Sequence, residues 1–188
     1  GNAASSKLSS FKIFNSIITS VNTKAGADFI DFRPTYVASI DIKNSTFNAC
    51  SPGRDFVRVD AAAGFNDTGL NTNVVIDACT LYKPSELATI KRILYVRFLN
   101  NTSTVKNTLI TDTPFAVYSN QPATTPPTFS NNYYFNAPGF MDAAIVNNKP
   151  DASGTVADPK FVSAATGNFK VTNQTLIDKN VGDPRWLK

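Results

Sequence analysis

The sequence predicts an all-β chain: a single-stranded, right-handed parallel β-helix of about five rungs, closed by a C-terminal cap. Three observations predict it. A six-residue unit recurs down the chain, an asparagine holds the same place in nearly every copy, and a short apolar strand precedes most of the long loops. The type copy is Ile42-Lys43-Asn44-Ser45-Thr46-Phe47, and the others fall at 13–18, 76–81, 105–110 and 129–134. Their third positions lie 29, 34, 29 and 24 residues apart. A period of that size marks a stack in which each repeat buries its apolar face only against the next. Each unit is apolar, partly β-branched and broken by a residue that tolerates tight bends, so it reads as strand, bend, strand. Crossovers between parallel strands turn right-handed on steric grounds.

Taken in order, residues 1–10 are rich in Ser and Ala, with Leu8 placed to cover the upper rung. The rungs occupy 10–156. The first runs over 11–21, bends at 22–26 and continues through 29–33 to Pro34, which cannot donate to a ladder. The second covers 37–47, a turn at 51–53, and 56–60, followed by a Gly- and Asn-bearing loop over 61–73. The third covers 74–82. A short helix is predicted over 84–92 with Ser85 as its cap, then a strand over 94–99. The fourth covers 105–110 and 115–119, and prolines at 122, 126 and 127 make 120–128 an irregular loop. The fifth covers 129–135 and 140–146. Residues 157–188 form a capping segment, in which Trp186, the only Trp, is expected to plug the lower end of the core.

At 188 residues with 42% apolar content the chain is one globular domain, 1–188, long enough for a sizeable core. No apolar run reaches the roughly 18 residues of a membrane span. The net charge of +4 comes from scattered Lys and Arg, which speaks against nucleic acid and suits an acidic polysaccharide. The absence of His removes imidazole bases, His metal sites and Ser-His-Asp chemistry. Cys79 aligns with Ser45, five residues short of Cys50, so no disulfide is expected between them. The repeat starts almost at once, which suggests the C-terminal part of a longer chain, with an upstream domain covering an otherwise open sheet edge.

Four constellations bear on function. Asn15, Asn44, Asn107 and Asn131, with Ala78 the exception, would stack into a structural ladder of side-chain amides. The strands at 29–33, 56–60, 95–99 and 115–119, aligned first residue to first, send Ile30, Phe32, Val57, Val59, Val96 and Phe98 inward. Phe29, Phe56, Tyr95 and Phe115 then form an outward aromatic column, with Arg58 and Arg97 beside it. Aromatic faces and guanidinium forks suit an acidic glycan, so these six are the glycan-binding candidates. The pairs Asp31–Arg58 and Arg33–Asp60 on neighbouring rungs read equally as cross-strand ion pairs. Carboxylates are spread over two rungs with no dense cluster, so no metal and no cofactor is expected, and calcium finds no support.

The tail carries Asp158-Pro159-Lys160-Phe161, then Gly167-Asn168-Phe169, then Gly182-Asp183-Pro184-Arg185-Trp186. These steps resemble the closing segment of secreted parallel β-helix proteins of Bacteroidetes, within the pectin-lyase-like superfamily. The resemblance implies a secreted, cell-surface or periplasmic protein related to polysaccharide lyases. It implies a non-catalytic glycan-binding or scaffold portion of a polysaccharide-processing protein. The rivals are a lyase, in which Arg58 and Arg97 neutralise a uronate and Lys43 or Lys106 is the base, and a purely structural module. No lyase motif matches residue by residue.

Overall fold

The computed structural model describes residues 6–21, 23, 26–33, 35–50, 53–60, 65, 68–85 and 89–188. The expected bends at 22–26 and 51–53, Pro34, the middle of the 61–73 loop and residues 86–88 of the expected helix lie wholly or partly outside these residues. Within them the chain is all-β with little helix, and every strand pairing is parallel. This pattern fits a parallel β-helix.

Three sheets carry the fold. The first orders β2 (Phe11–Phe14), β6 (Ser39–Lys43), β9 (Thr72–Asp77), β13 (Asn101–Lys106) and β16 (Thr128–Ser130). The second orders β3 (Ile17–Thr19), β7 (Thr46–Asn48), β10 (Thr80–Tyr82), β14 (Leu109–Thr111), β17 (Tyr133–Phe135) and β18 (Thr155–Val156). The third orders β4 (Ile30–Phe32), β8 (Val57–Val59) and β12 (Leu94–Val96). Two short pairs join β1 (Lys7–Leu8) to β5 (Tyr36–Val37), and β11 (Lys91–Arg92) to β15 (Ala116–Val117). Lys91 and Arg92, expected at the end of a helix, are therefore strand.

The six-residue repeat is the first sheet turning into the second. Ile13, Ile42, Ile76, Val105 and Phe129 stand in one register column, as do Ile17, Thr46, Thr80, Leu109 and Tyr133. The residue at the bend is left-handed in every copy, with φ of 51° at Asn15, 49° at Asn44, 52° at Ala78, 50° at Asn107 and 51° at Asn131. Asn enters that region more easily than most residues, which explains its recurrence. Asn15 and Asn44 are exposed, and Asn107 and Asn131 are half-buried. Asn44 Nδ2 donates to Asn15 Oδ1 at 3.3 Å and Asn131 Nδ2 to Asn107 Oδ1 at 2.9 Å. Above Asn107 the alanine breaks the run, and Asn107 Nδ2 donates instead to Asp77 Oδ1 at 2.9 Å. The next residue tightens the bend: Ser16, Ser45, Cys79 and Thr108 each donate to the carbonyl two residues back. A second left-handed column, Ser20, Ala49, Lys83, Asp112 and Asn136, follows the strands of the second sheet. Its mixed composition hides it from the sequence.

Ile40, Ile42, Phe47, Val57, Leu81, Val96 and Ile110 fill one continuous core. Cys50 and Cys79 are free thiols within it, and burial pushes their pKa values up to about 11 and about 12. The lower end is closed by residues 138–153. Phe140, in a 3-10 turn over Pro138–Phe140, packs fully buried against Tyr118 and Tyr134. Tyr134 Oη and Asn132 Nδ2 both donate to buried Asp151 Oδ2, at 2.8 and 3.1 Å, while Ser153 N–H and Oγ–H donate to Oδ1. Burial raises the pKa of the Tyr118 and Tyr134 phenols.

The tail does not plug that end. It runs back up the outside of the second sheet, where Leu109 and Tyr133 join Val171, Leu176 and Val181 in a second apolar cluster. Helix α1 (Gln174–Asp178) starts at Asn173, whose side chain accepts from Thr175 N–H. From there the tail climbs one repeat at a time. Asn131 Nδ2 donates to Lys179 O, Gly182 N–H to Asn107 O, and Asp183 N–H to Thr80 Oγ1. Finally Thr46 Oγ1 donates to Asp183 Oδ2 at 2.8 Å and accepts from Trp186 Nε1 at 2.8 Å. Trp186 is half-buried beside the second repeat, edge-on to Phe169, so its expected role as a plug is corrected. Gly182 has φ of +97°, and a Cβ there would crowd Thr80 Oγ1 at 2.8 Å. Pro184 opens a 3-10 turn capped by Asp183. These contacts account for the Gly-Asp-Pro-Arg-Trp motif.

Candidate functional site

The third sheet carries the candidate site. Its register sets Phe29-Ile30-Asp31-Phe32-Arg33 beside Phe56-Val57-Arg58-Val59-Asp60 and Ile93-Leu94-Tyr95-Val96-Arg97. The third segment thus sits two residues away from the alignment expected. Each segment begins with two consecutive apolar residues, both turned into the core at a bend, and only then alternates. That doublet is the signal that would have fixed the register; matching Tyr95 to Phe56 obscured it.

The shift dissolves the aromatic column. Phe29 and Phe56 stack on each other at 5.1 Å and both meet Phe47, so they belong to the core. Phe115 is 48% exposed but precedes β15, whose partner is Lys91–Arg92, and stands apart from both. Ile30, Val57, Val59, Val96 and Phe98 are buried inward and Phe32 partly so.

What faces outward is an array of charge. One register column holds Asp28, Asp55 and Arg92, the next Asp31, Arg58 and Tyr95, and the third Arg33, Asp60 and Arg97. Arg58 Nη2 donates to Asp60 Oδ2 at 2.6 Å, and its Nη1 lies 3.5 Å from Asp28 Oδ2. Arg92 Nη2 donates to Asp55 Oδ2 at 2.8 Å, and Asp55 N–H to Asp28 Oδ1 at 3.2 Å. Arg97 Nη1 lies 3.1 Å from Asp60 Oδ1, and Arg33 clasps Asp31 with Nε and Nη2. The close contacts pair Arg33 with Asp31 and Arg58 with Asp60, each within one segment, while Asp60 acts on Arg33 at longer range. The Arg58 and Arg92 guanidinium groups lie 4.8 and 4.6 Å from the centre of the buried Tyr95 ring. That ring is committed to two cations. Burial pushes the Asp28 carboxyl above its ordinary range, opposed by the Asp55 N–H and by Arg54 and Arg58.

The array has a buried floor and an exposed rim. The Arg58 side chain is 7% exposed, whereas Arg33, Arg54 and Arg97 reach solvent at 39%, 32% and 44%. A cavity of about 410 Å³ opens where the array meets the N-terminal strand, lined in part by Lys7, Asp31, Phe32 and Arg33. The lysines considered as bases sit elsewhere. Lys43 and Lys106 lie on the first sheet, near Asp41 at 3.8 Å and Asp77 at 3.5 Å. No group of three or more Cys, Asp or Glu residues that could hold a metal occurs among the described residues. No helix among them is long and apolar enough to cross a membrane.

Residues 74–186, more than half of the chain, match the family described as a domain of unknown function, DUF5123. The chain belongs to this family. The DUF5123 match begins in β9 and ends at Trp186, so it includes the tail with its staple of Asp183 and Trp186. It also takes in Arg92, Tyr95 and Arg97 of the array, while β4 and β8 lie before it. No curated protein and no solved structure matches the chain.

Proposed function

We propose that this DUF5123 protein is one right-handed parallel β-helix of about five coils, related to the pectin-lyase-like superfamily. In this reading it is the non-catalytic, glycan-binding part of a secreted bacterial polysaccharide-processing protein, and its ligand is an acidic polysaccharide. One observation carries the proposal: the guanidinium groups of Arg33, Arg54 and Arg97 rise to solvent from a bed of buried ion pairs on a single sheet face. Forks fixed in this way meet carboxylate or sulfate groups with little further loss of side-chain freedom. The neighbouring strands repeat at about 4.8 Å, close to the length of one sugar unit.

Two facts favour a binding role over lyase chemistry. Asp28, Asp31, Asp55 and Asp60 all lie against arginines, and Lys43 and Lys106 stand on a different sheet from Arg58 and Arg97. The test is titration of the intact protein with polygalacturonate, alginate and chondroitin sulfate at several salt concentrations. Arg97→Ala should weaken binding about tenfold with an unchanged melting temperature, and Arg54→Ala should weaken it similarly with some loss of stability, because Arg54 also lies against buried Asp28 and Asp55. Full affinity in both variants, or no binding to any acidic glycan, sinks the proposal. Ultraviolet absorbance from an unsaturated uronate product would instead establish a lyase.

A further inference from the structure

The cavity at the N-terminal end of the arginine face holds more than a general attraction for anions. It measures about 410 Å³, within the roughly 300–1,000 Å³ of small-molecule sites. Among the described residues Phe32 is first in its register column. Below it Val59 and Val96 are fully buried, whereas Phe32 stays partly exposed and lines the cavity. Its ring is held edge-on by Phe11 at 5.5 Å, so it is a fixed apolar surface. Two cations stand on the same cavity. Arg33 is held by Asp31, which lines the cavity with it. Lys7 has no carboxylate partner among the described residues, and its ammonium lies 5.4 Å from the Phe65 ring. Ser6 adds a hydroxyl and Leu8 a second apolar contact.

We infer that this cavity takes one terminal uronate residue, so that an acidic glycan is bound by its end and not only along its length. The inference rests on the glycan-binding role proposed above and adds where the chain end sits. The C–H face of a pyranose ring suits a fixed aromatic surface, and the Lys7 ammonium, not clasped by Asp31 as Arg33 is, gives the carboxylate a cation. A neutral sugar would leave that ammonium unmatched. A long polymer passing laterally would leave Phe32 unused, because Phe32 belongs to the inward column and not to the outward array.

The decisive experiment is calorimetric titration of the full chain with oligogalacturonates of two to about ten units, beside neutral oligomers of equal length. End-on capture predicts one protein per chain at every length and an affinity that stays level beyond the first few units. Lys7→Ala should lower affinity for the shortest oligomers at least tenfold with the melting temperature unchanged. Phe32→Leu, which keeps an apolar contact with Phe11, should also weaken them. Affinity and stoichiometry that climb steadily with length, with Lys7→Ala silent, would overturn the end-on site and leave the arginine face as the binding surface. Equal binding of neutral oligomers would overturn the uronate assignment. Failure of every acidic oligomer and polymer to bind would remove both this inference and the role beneath it.

Discussion

Trp186 Nε1 donates to Thr46 Oγ1 over 2.8 Å although 140 residues separate them. The same hydroxyl donates to buried Asp183, so one threonine of the second repeat holds the end of the tail. Thr46→Val removes the acceptor of the indole N–H and one donor to the buried carboxyl, which keeps Arg185, and should cost about 1–3 kcal/mol. Trp186→Ala should cost about 2 kcal/mol, less than a fully buried Trp, because the ring is only half covered. Denaturant unfolding of the whole chain measures both. A Thr46→Val protein as stable as the parent would show the contact to be inert.

Acidity tests the same staple. Burial, the first cause, raises the Asp183 pKa above 3.8, and Asp28 is raised likewise. A raised carboxyl pKa means that the folded chain keeps a proton which the unfolded chain has released. Stability therefore falls as pH rises: the contribution is complete below the ordinary value and lost above the raised one. Asp183→Asn cannot titrate. The stability of the parent relative to this variant should be greatest in acid, decline as pH climbs past the ordinary carboxyl range, and then level off. Unfolding midpoints of both proteins, compared from about pH 3 to pH 7, read this directly. A gap independent of pH refutes it.

Ala78 offers a gain. It occupies the left-handed bend without the side chain that its column mates use. Ala78→Asn supplies the missing amide between Asn44 and Asn107 and relieves a strained alanine, and should stabilise by about 0.5–1 kcal/mol. Asn107→Ala removes the donor to Asp77 and the acceptor for Asn131, and should cost about 1–3 kcal/mol. Thermal and denaturant midpoints check both, and the opposite sign for Ala78→Asn would undo the account of the ladder.

Gly139 sits where the lower closure meets the core. A Cβ there would overlap the Ala116 carbonyl oxygen, which is backbone and cannot swing aside, and would crowd Val117 at 3.2 Å. Gly139→Ala should cost about 2–3 kcal/mol. Denaturant midpoints measure it, and a Gly139→Ala protein as stable as the parent would show that the closure yields.

The repeat was legible because two demands coincide on it. The bend requires a residue that accepts positive φ, and the flanking positions require apolar side chains, so Asn and Ile recur at fixed places. The third sheet was harder to read. Phe29-Ile30, Phe56-Val57 and Ile93-Leu94 each turn two successive side chains inward, and strict alternation has no place for such a doublet. The site inherited that error, because Phe56 and Tyr95 look equivalent as letters although one is core and the other lies against two arginines. The tail motif was recognisable, but its docking partners, Thr46 and Thr80, lie more than a hundred residues earlier and carry no local mark.

A stack of similar units is commonly a row of weak joints, each able to part on its own, so that opening starts at an end and travels. Here Asn131, Asn107, Thr80 and Thr46 are laced in turn by one strand of tail between Lys179 and Trp186. Parting any joint between the second and fifth units must also tear this lacing, which runs across the joints and so is loaded in shear. Fraying from the lower end should therefore be suppressed.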